Sequence, residues 1–389
     1  MLKIIHFIFM LLIPCLVMAD EASDHISLQF LADQFLREHR VEEHISGLAV
    51  TVDSARITHP LTVYSGTVST EQEKTVDASS LFQVGSLTKS FIAAVLLQLA
   101  RDPENHFRLD DPVDKFFPQY SKWRGISVKQ LMNMTSGIPD YITDRDMFSD
   151  FAAHPYRRHS PSFWVDRMYQ HPLRFSPGAG YLYSNTNYLL LGMLIEKLTG
   201  HTTGHEIRRR LIKPLGLKNT YYVAHYPGHR VFSRLVRGYQ FEKGFHDYIP
   251  RGEDVTEYSL SYMDAAGGMI SNSADMAVWI KSLFTPDLVL TESELLEMKT
   301  LISQQSGRPV ATLSVNDPVG FGLGIRAQFG PGFNTSYYIY QGMTLGYRAI
   351  YFYYPERQTL ISITVNSSFD GKENHLIGLI NQIGESLSL

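Results

Sequence analysis

Residues 82–100 read FQVGSLTKSFIAAVLLQLA. Beyond Ser86 and Lys89 the stretch is almost wholly apolar, with Phe91 to Leu97 and Leu99 leaving little polar face. A helix apolar on every side belongs inside a protein, so this segment predicts a central helix within a large fold. Its first turn nevertheless carries a serine and a lysine three positions apart, on one helical face. A helix start also presents unpaired N–H groups and the positive end of the dipole. A serine hydroxyl becomes a nucleophile when a neighbouring base takes its proton. A lysine becomes such a base when desolvation lowers its pKa, and the apolar helix supplies the desolvation. Ser86 and Lys89 are therefore candidate nucleophile and proton acceptor, against the plainer reading of a capping serine beside a solvated lysine.

Working outward, Ile26–His39 has helical periodicity, and Gly47–Asp53 and Leu61–Gly66 read as strands. From Leu109 to about Leu283 helices alternate with Pro- and Gly-rich loops. They include Tyr188–Gly200, ending at a glycine stop, and SADMAVWIKSLF, with Ser273 as its expected N-cap. FGLGIRAQF, TSYYIYQG, YRAIYFYYP and TLISITVNS then read as strands, and a helix from Glu373 to about Leu387 closes the chain. Strands at both ends and helices between predict an α+β fold. The expected sheet is mostly antiparallel, built from both termini and flanked by helices, with a large helical subdomain inserted. The expected division is residues 20–108 and 284–389 as the α/β part and 109–283 as the mostly helical part.

The 389 residues are 44% hydrophobic and 19% charged with net charge −4, an ordinary globular composition that gives no electrostatic case for nucleic acid. The first nineteen residues carry Lys3, an apolar run and Val17-Met18-Ala19, the layout of an export leader, and the run is short for a membrane span. On this reading the mature chain lacks a membrane span and is periplasmic. The single cysteine, Cys15, lies in that leader, so neither a disulfide nor thiol chemistry is expected in the mature chain. Arg208-Arg209-Arg210 is the one tight basic run, and a solvated helix face accounts for it. His201 and His205 lie four apart but show no third metal ligand. No phosphate-binding glycine loop is visible. No metal and no cofactor are expected.

SLTK, followed in order by LMNMTSGIPDY, FSPGAGYLYSNTNYLLLG, IKPLGLKNTYY and AAGGMISNSADMAVW, resembles the serine β-lactamase-related family. That family includes class C β-lactamases, D-Ala-D-Ala carboxypeptidases, D-aminopeptidases and certain esterases. The resemblance covers most of the mature chain. It implies a β-lactamase/transpeptidase-like fold with its site in the groove between sheet and helical subdomain. It also implies Ser86 as nucleophile, Lys89 as its partner, and Tyr183 and Asn185 as the Tyr-x-Asn element. Tyr183 would exchange a proton if a nearby cation lowered its pKa. Asn185 would donate to a substrate carbonyl and accept from Lys89.

The family's third element, usually Lys-Thr-Gly or His-x-Gly, falls here on Tyr340-Gln341-Gly342. Its cation, which helps hold a substrate carboxylate, is replaced by a neutral phenol. Gly342 keeps the close backbone approach, and by analogy the N–H groups of Ser86 and Met343 would hold an oxyanion. The resemblance thus implies an exported serine hydrolase working through an acyl-enzyme on a small amide or ester. A D-Ala-D-Ala carboxypeptidase-like or D-peptide-directed hydrolase is the leading expectation. A carboxylesterase of the same fold and a non-catalytic penicillin-binding-like scaffold are the alternatives.

Overall fold

The computed structural model describes residues 2–242, 248–330, 334–369 and 375–389. Its centre is set by strands that are apolar on both sides. The strand from Arg348 to Tyr354 sends Ala349, Tyr351 and Tyr353 into one core and Ile350, Phe352 and Tyr354 into another. Side chains alternate along a strand, so a run apolar at every position can only be buried on both faces.

Nine strands pair antiparallel throughout: β1 (Gly47–Asp53), β2 (Leu61–Gly66), β6 (Leu301–Ser303), β7 (Pro309–Val310), β8 (Val319–Phe321), β9 (Arg326–Gly330), β10 (Thr335–Met343), β11 (Arg348–Tyr354) and β12 (Thr359–Val365). Their order is β2-β1-β12-β11-β10-β9-β8-β6-β7. Strands from both ends of the chain therefore meet at the β1–β12 pair, with Leu48 opposite Val365. On one face lie helix α1 (Leu2–His39), through Leu28, Ala32, Phe35 and Leu36, and a C-terminal helix (His375–Ser386), through Leu376, Leu379, Ile380 and Ile383. Among the described residues no helix is long and apolar enough to cross a membrane.

Against the other face stands helix α2 (Thr88–Arg101), buried at every position from Thr88 to Leu97. Helix α3 (Asn185–Thr199) and helix α4 (Ser273–Phe284) pack around it. The Phe91 ring stacks on Trp279 with centroids 3.9 Å apart, and Trp279 Nε1 donates to Ser90 Oγ at 2.9 Å. At about 1.5–3 kcal/mol for each large apolar side chain removed from water, this cluster is a principal source of stability.

The fold is α+β, as expected, with three local differences. The cap of α4 is Asn272, whose side chain accepts from Asp275 N at 2.9 Å; Ser273 instead hydrogen-bonds Thr51 on β1 at 2.9 Å. FGLGIRAQF is split into β8 and β9 by a turn at Gly322–Gly324, where Gly324 has φ +75°. The expected start of the last helix, Glu373, lies outside the described residues. Three short strands, β3 (Phe82–Gln83), β4 (Tyr221–Tyr222) and β5 (Met269–Ser271), form a second sheet in the order β3-β5-β4.

Candidate active site

The small sheet delivers Ser86 to its place. β3 pairs with β5 at Phe82↔Ser271 and Gln83↔Ile270, and Val84 N extends the ladder to Met269 O at 3.0 Å. The chain then tightens into a 3₁₀ turn, Gly85–Leu87, that runs directly into α2. Thr88 fastens the turn: its Oγ1 donates to Gly85 O at 2.6 Å and accepts from Met269 N at 3.1 Å. Ser86 thus sits one turn before a helix whose next turn places Lys89 on the same side.

Lys89 is fully buried, and its Nζ has three partners: Ser86 Oγ at 3.0 Å, Asn185 Oδ1 at 2.8 Å and Ala266 O at 2.6 Å. Burial brings its pKa down to about 7, against an opposing pull from Asp140. Proton counting gives this geometry a direction. Two of the three partners are carbonyl oxygens, which can only accept. A neutral amine has two N–H groups for those two oxygens, and its lone pair is left facing the Ser86 hydroxyl.

Tyr183 OH donates to Ser86 Oγ at 2.8 Å. Tyr340 OH lies 2.7 Å from Tyr183 OH. A phenol has one proton, so if Tyr183 gives its own to Ser86, Tyr340 must give its proton to Tyr183. The sequence reading made proton exchange by Tyr183 conditional on a nearby cation lowering its pKa. The structure reverses the direction, because burial raises it and outweighs the hydrogen bonds from its neighbours. Tyr183 is a neutral phenol, placed to donate.

Asn185, the first residue of α3, is oriented from behind by Asp140. Asp140 Oδ2 accepts from Asn185 Nδ2 at 2.9 Å and Oδ1 from Asn185 N at 3.1 Å. This fixes the Asn185 oxygen toward Lys89. Burial raises the Asp140 pKa, and hydrogen bonds from Ile142 and Asn185 resist that.

On the sheet side, two glycines let β10 touch the Ser86 turn. A Cβ on Gly342 would stand 1.9 Å from Val84 O and 2.8 Å from Ser86 N. One on Gly85, which has φ +50°, would stand 2.5 Å from Met343 N. The N–H groups of Ser86 and Met343 therefore meet across a contact that admits no side chain at either position. The cleft outside has a volume of about 360 Å³ and is lined by Ser86, Tyr183, Asn185, Tyr340, Gln341 and Met343 among others. Gly342 lies at its back.

The structure thus gathers Ser86, Lys89, Tyr183, Asn185 and the Tyr340–Met343 strand in one place. It adds three groups that the sequence reading did not single out. Asp140 had a signal, an aspartate just before a helical turn, but nothing local shows that it reaches Asn185. The Ala266 carbonyl is backbone and carries no side-chain signature. Glu242 lines the cleft from a distant loop and is the one charged side chain in the described lining. Arg326, on β9 beside the site, is outside that lining; its guanidinium donates to Ile339 O at 3.4 Å and Gln328 Oε1 at 3.1 Å.

Residues 32–384 match the family model described as Beta-lactamase. The chain belongs to the beta-lactamase family. The curated relatives include Penicillin-binding protein 4* of Bacillus subtilis, 26% identical over 238 residues that make up 57% of this chain and 49% of that protein. The chain spans about half the length of several such relatives. Two solved structures match nearly end to end. A D-stereospecific amidohydrolase from Streptomyces sp. is 28% identical with TM-score 0.73, over 93% of this chain and 98% of that one. A D-amino acid amidase from Ochrobactrum anthropi SV3, solved with L-phenylalanine amide, is 25% identical with TM-score 0.77, over 94% and 98%.

Away from the site, the structure supplies the third ligand that the sequence lacked beside His201 and His205. One ligand atom from each, with one from Glu206, falls within 4.8 Å of the others. Glu206 Oε2 is already engaged by Arg209 at 2.9 Å and Arg210 at 2.7 Å, and two guanidinium charges oppose a dication there.

Proposed function

We propose that this chain is an exported serine hydrolase that cleaves amides of D-amino acids or short D-residue peptides through an acyl-enzyme. Residues 1–19 are its export leader and the periplasm its destination. The observation that carries the reaction is the triple contact of Lys89 Nζ, with two carbonyl acceptors and the Ser86 hydroxyl. Ser86 Oγ attacks the substrate carbonyl as its proton passes to Lys89. The N–H groups of Ser86 and Met343 receive the developing oxyanion, at about 3 kcal/mol of barrier for each donor. Tyr183 protonates the departing amine, and the Lys89 ammonium, which holds the former Ser86 proton, gives that proton back to the Tyr183 phenolate; the acylated Oγ carries no proton and takes no part in that return. Water then releases the acyl group by the reverse path.

The charge in the cleft supports the substrate class. A carboxypeptidase substrate ends in a carboxylate, and the third-element cation that would receive it is Tyr340 here. The described lining includes no cation, which favours a ligand without a carboxylate. An amino acid amide lacks the carboxylate. The relatives' names point the same way. The uncharged third element also suits small esters, which makes an esterase the second reading. The scaffold reading has against it a complete set of Ser86, Lys89, Tyr183 and Asn185 in mutual contact.

The experiment is a turnover profile across D-alanine amide, its N-acetyl derivative, D-Ala-D-Ala and p-nitrophenyl acetate. D-alanine amide is expected to lead, and D-Ala-D-Ala to be turned over about tenfold less efficiently. Preference for D-Ala-D-Ala over the amide would overturn the substrate class. Fluorophosphonate labelling undiminished in Ser86→Ala would overturn the reaction itself.

A further inference from the structure

A second cavity, of about 900 Å³ against about 360 Å³ for the cleft at Ser86, opens on the helical region and does not include Ser86. Five cations line it: Arg158, Arg208, Lys213, Lys218 and Arg230. All five are exposed, and none of their side chains has a hydrogen bond or ion pair among the described residues. Their neighbours Arg209 and Arg210 are both tied to Glu206. The basic run read from the sequence as a plain solvated face therefore divides: two arginines brace a buried glutamate, and the third faces the cavity.

Two carboxylates share the lining. Glu196 accepts from Thr203 N at 3.1 Å. Asp264 is buried and has φ +38°, in the left-handed region. Its Oδ1 accepts from Tyr222 OH at 2.6 Å and Ala265 N at 2.7 Å. Burial pushes its carboxyl up to about 6, so it opposes an anion less only below that pH.

Like charges gathered around one concavity repel one another, and low-dielectric walls concentrate their field on whatever enters. Guanidinium groups also match phosphate and carboxylate oxygens two at a time. We infer that this cavity is a second ligand site, which takes a small molecule bearing two or more phosphate or carboxylate groups. The site stands apart from the reaction at Ser86, so its test is independent of that assignment. Its lining nonetheless leads to the catalytic centre: two residues beyond Asp264, Ala266 gives its carbonyl to Lys89.

The test is calorimetric titration of the full chain with tripolyphosphate and, separately, citrate. Salt is held at about 0.05 M, where charges are felt beyond 10 Å. Saturable one-to-one binding of at least one probe is expected. It should weaken about tenfold or more in the triple variant Arg158→Ser, Arg208→Ser, Arg230→Ser. A control triple variant elsewhere on the surface, Lys74→Ser, Arg145→Ser, Arg308→Ser, should bind as the parent does. Circular dichroism confirms that each variant is folded, as expected for exposed side chains without partners. Tighter binding of tripolyphosphate assigns the site to phosphates, and of citrate to carboxylates. No saturable binding of either probe, or equal weakening in both triple variants, overturns the inference.

Discussion

The proton inventory of Lys89 has a measurable consequence. Its pKa lies near 7, where a lysine ordinarily titrates at 10.5. A 3.5-unit depression is about 5 kcal/mol of preference for the neutral amine. At pH 7 about half of the molecules would hold a neutral Lys89, against roughly one in three thousand for a solvated lysine. The rate constant for fluorophosphonate labelling of Ser86 should therefore rise with pH, inflect near 7 and level off above 8. By pH 5 it should be about a hundredfold below the plateau. The Asp140 charge pulls this pKa upward, so Asp140→Asn should move the inflection to lower pH. Stability supplies a second readout. Between pH 7 and 10.5 the unfolded chain holds the Lys89 proton and the folded chain has released it. Stability should climb across that window, by up to about 5 kcal/mol from this group. Below pH 7 both states hold the proton, and the cost of burying the ammonium is carried in full. Denaturant melts of the parent and Lys89→Met across that window isolate the effect, since the variant loses this pH dependence. A labelling rate flat from pH 5 to 9 in the folded protein would refute the reasoning, because the amine would then not be the proton acceptor.

Three further predictions rest on single contacts. Tyr340→Phe removes the donor to Tyr183 and should lower kcat about ten- to a hundredfold with little change in melting temperature, measured by steady-state kinetics and thermal melts. Gly342→Ala places a methyl group 1.9 Å from Val84 O; it should abolish labelling of Ser86 and destabilise by about 3 kcal/mol or more, by urea titration. Arg348→Met removes the guanidinium from the buried carboxylate of Glu43, which keeps its contact with His375, and should cost about 3 kcal/mol in the same assay.

Much of the fold was legible because the signals were one-dimensional. The apolar span from Phe91 to Leu97 could be nothing but a buried helix, and the doubly apolar β11 and β12 could be nothing but central strands. What escaped depended on partners far away in sequence. β6 and β7 have three and two residues and acquire strand character only by pairing beside β8. Gly322 and Gly324 sit in a stretch whose apolar residues read as one strand. The chain turns there because Gly324 must pass over Lys89, whose carbonyl oxygen would lie 2.6 Å from any Cβ. Asn272 and Ser273 are both competent caps, and the choice between them was made by Thr51, which takes the serine hydroxyl.

The site divides along the same line. Ser86 and Lys89 could be paired from spacing alone, because the helix between them is local. The sign of the Tyr183 shift could not, because it depends on how much water the assembled cleft excludes, and no residue near position 183 records that. The third element shows why this matters. Tyr340 in place of a cation looks, in sequence, like the erosion of a substrate contact. In the structure its hydroxyl meets Tyr183, where a cation would have favoured ionising that phenol. Burial keeps Tyr183 protonated, and a neutral Tyr340 with one proton to give fixes which way it donates. The substitution that removes a hold on substrate carboxylates thus also settles the direction of the hydrogen-bond chain. Carboxylate recognition and the direction in which Tyr183 donates are two consequences of one side chain, and a change at position 340 moves both together.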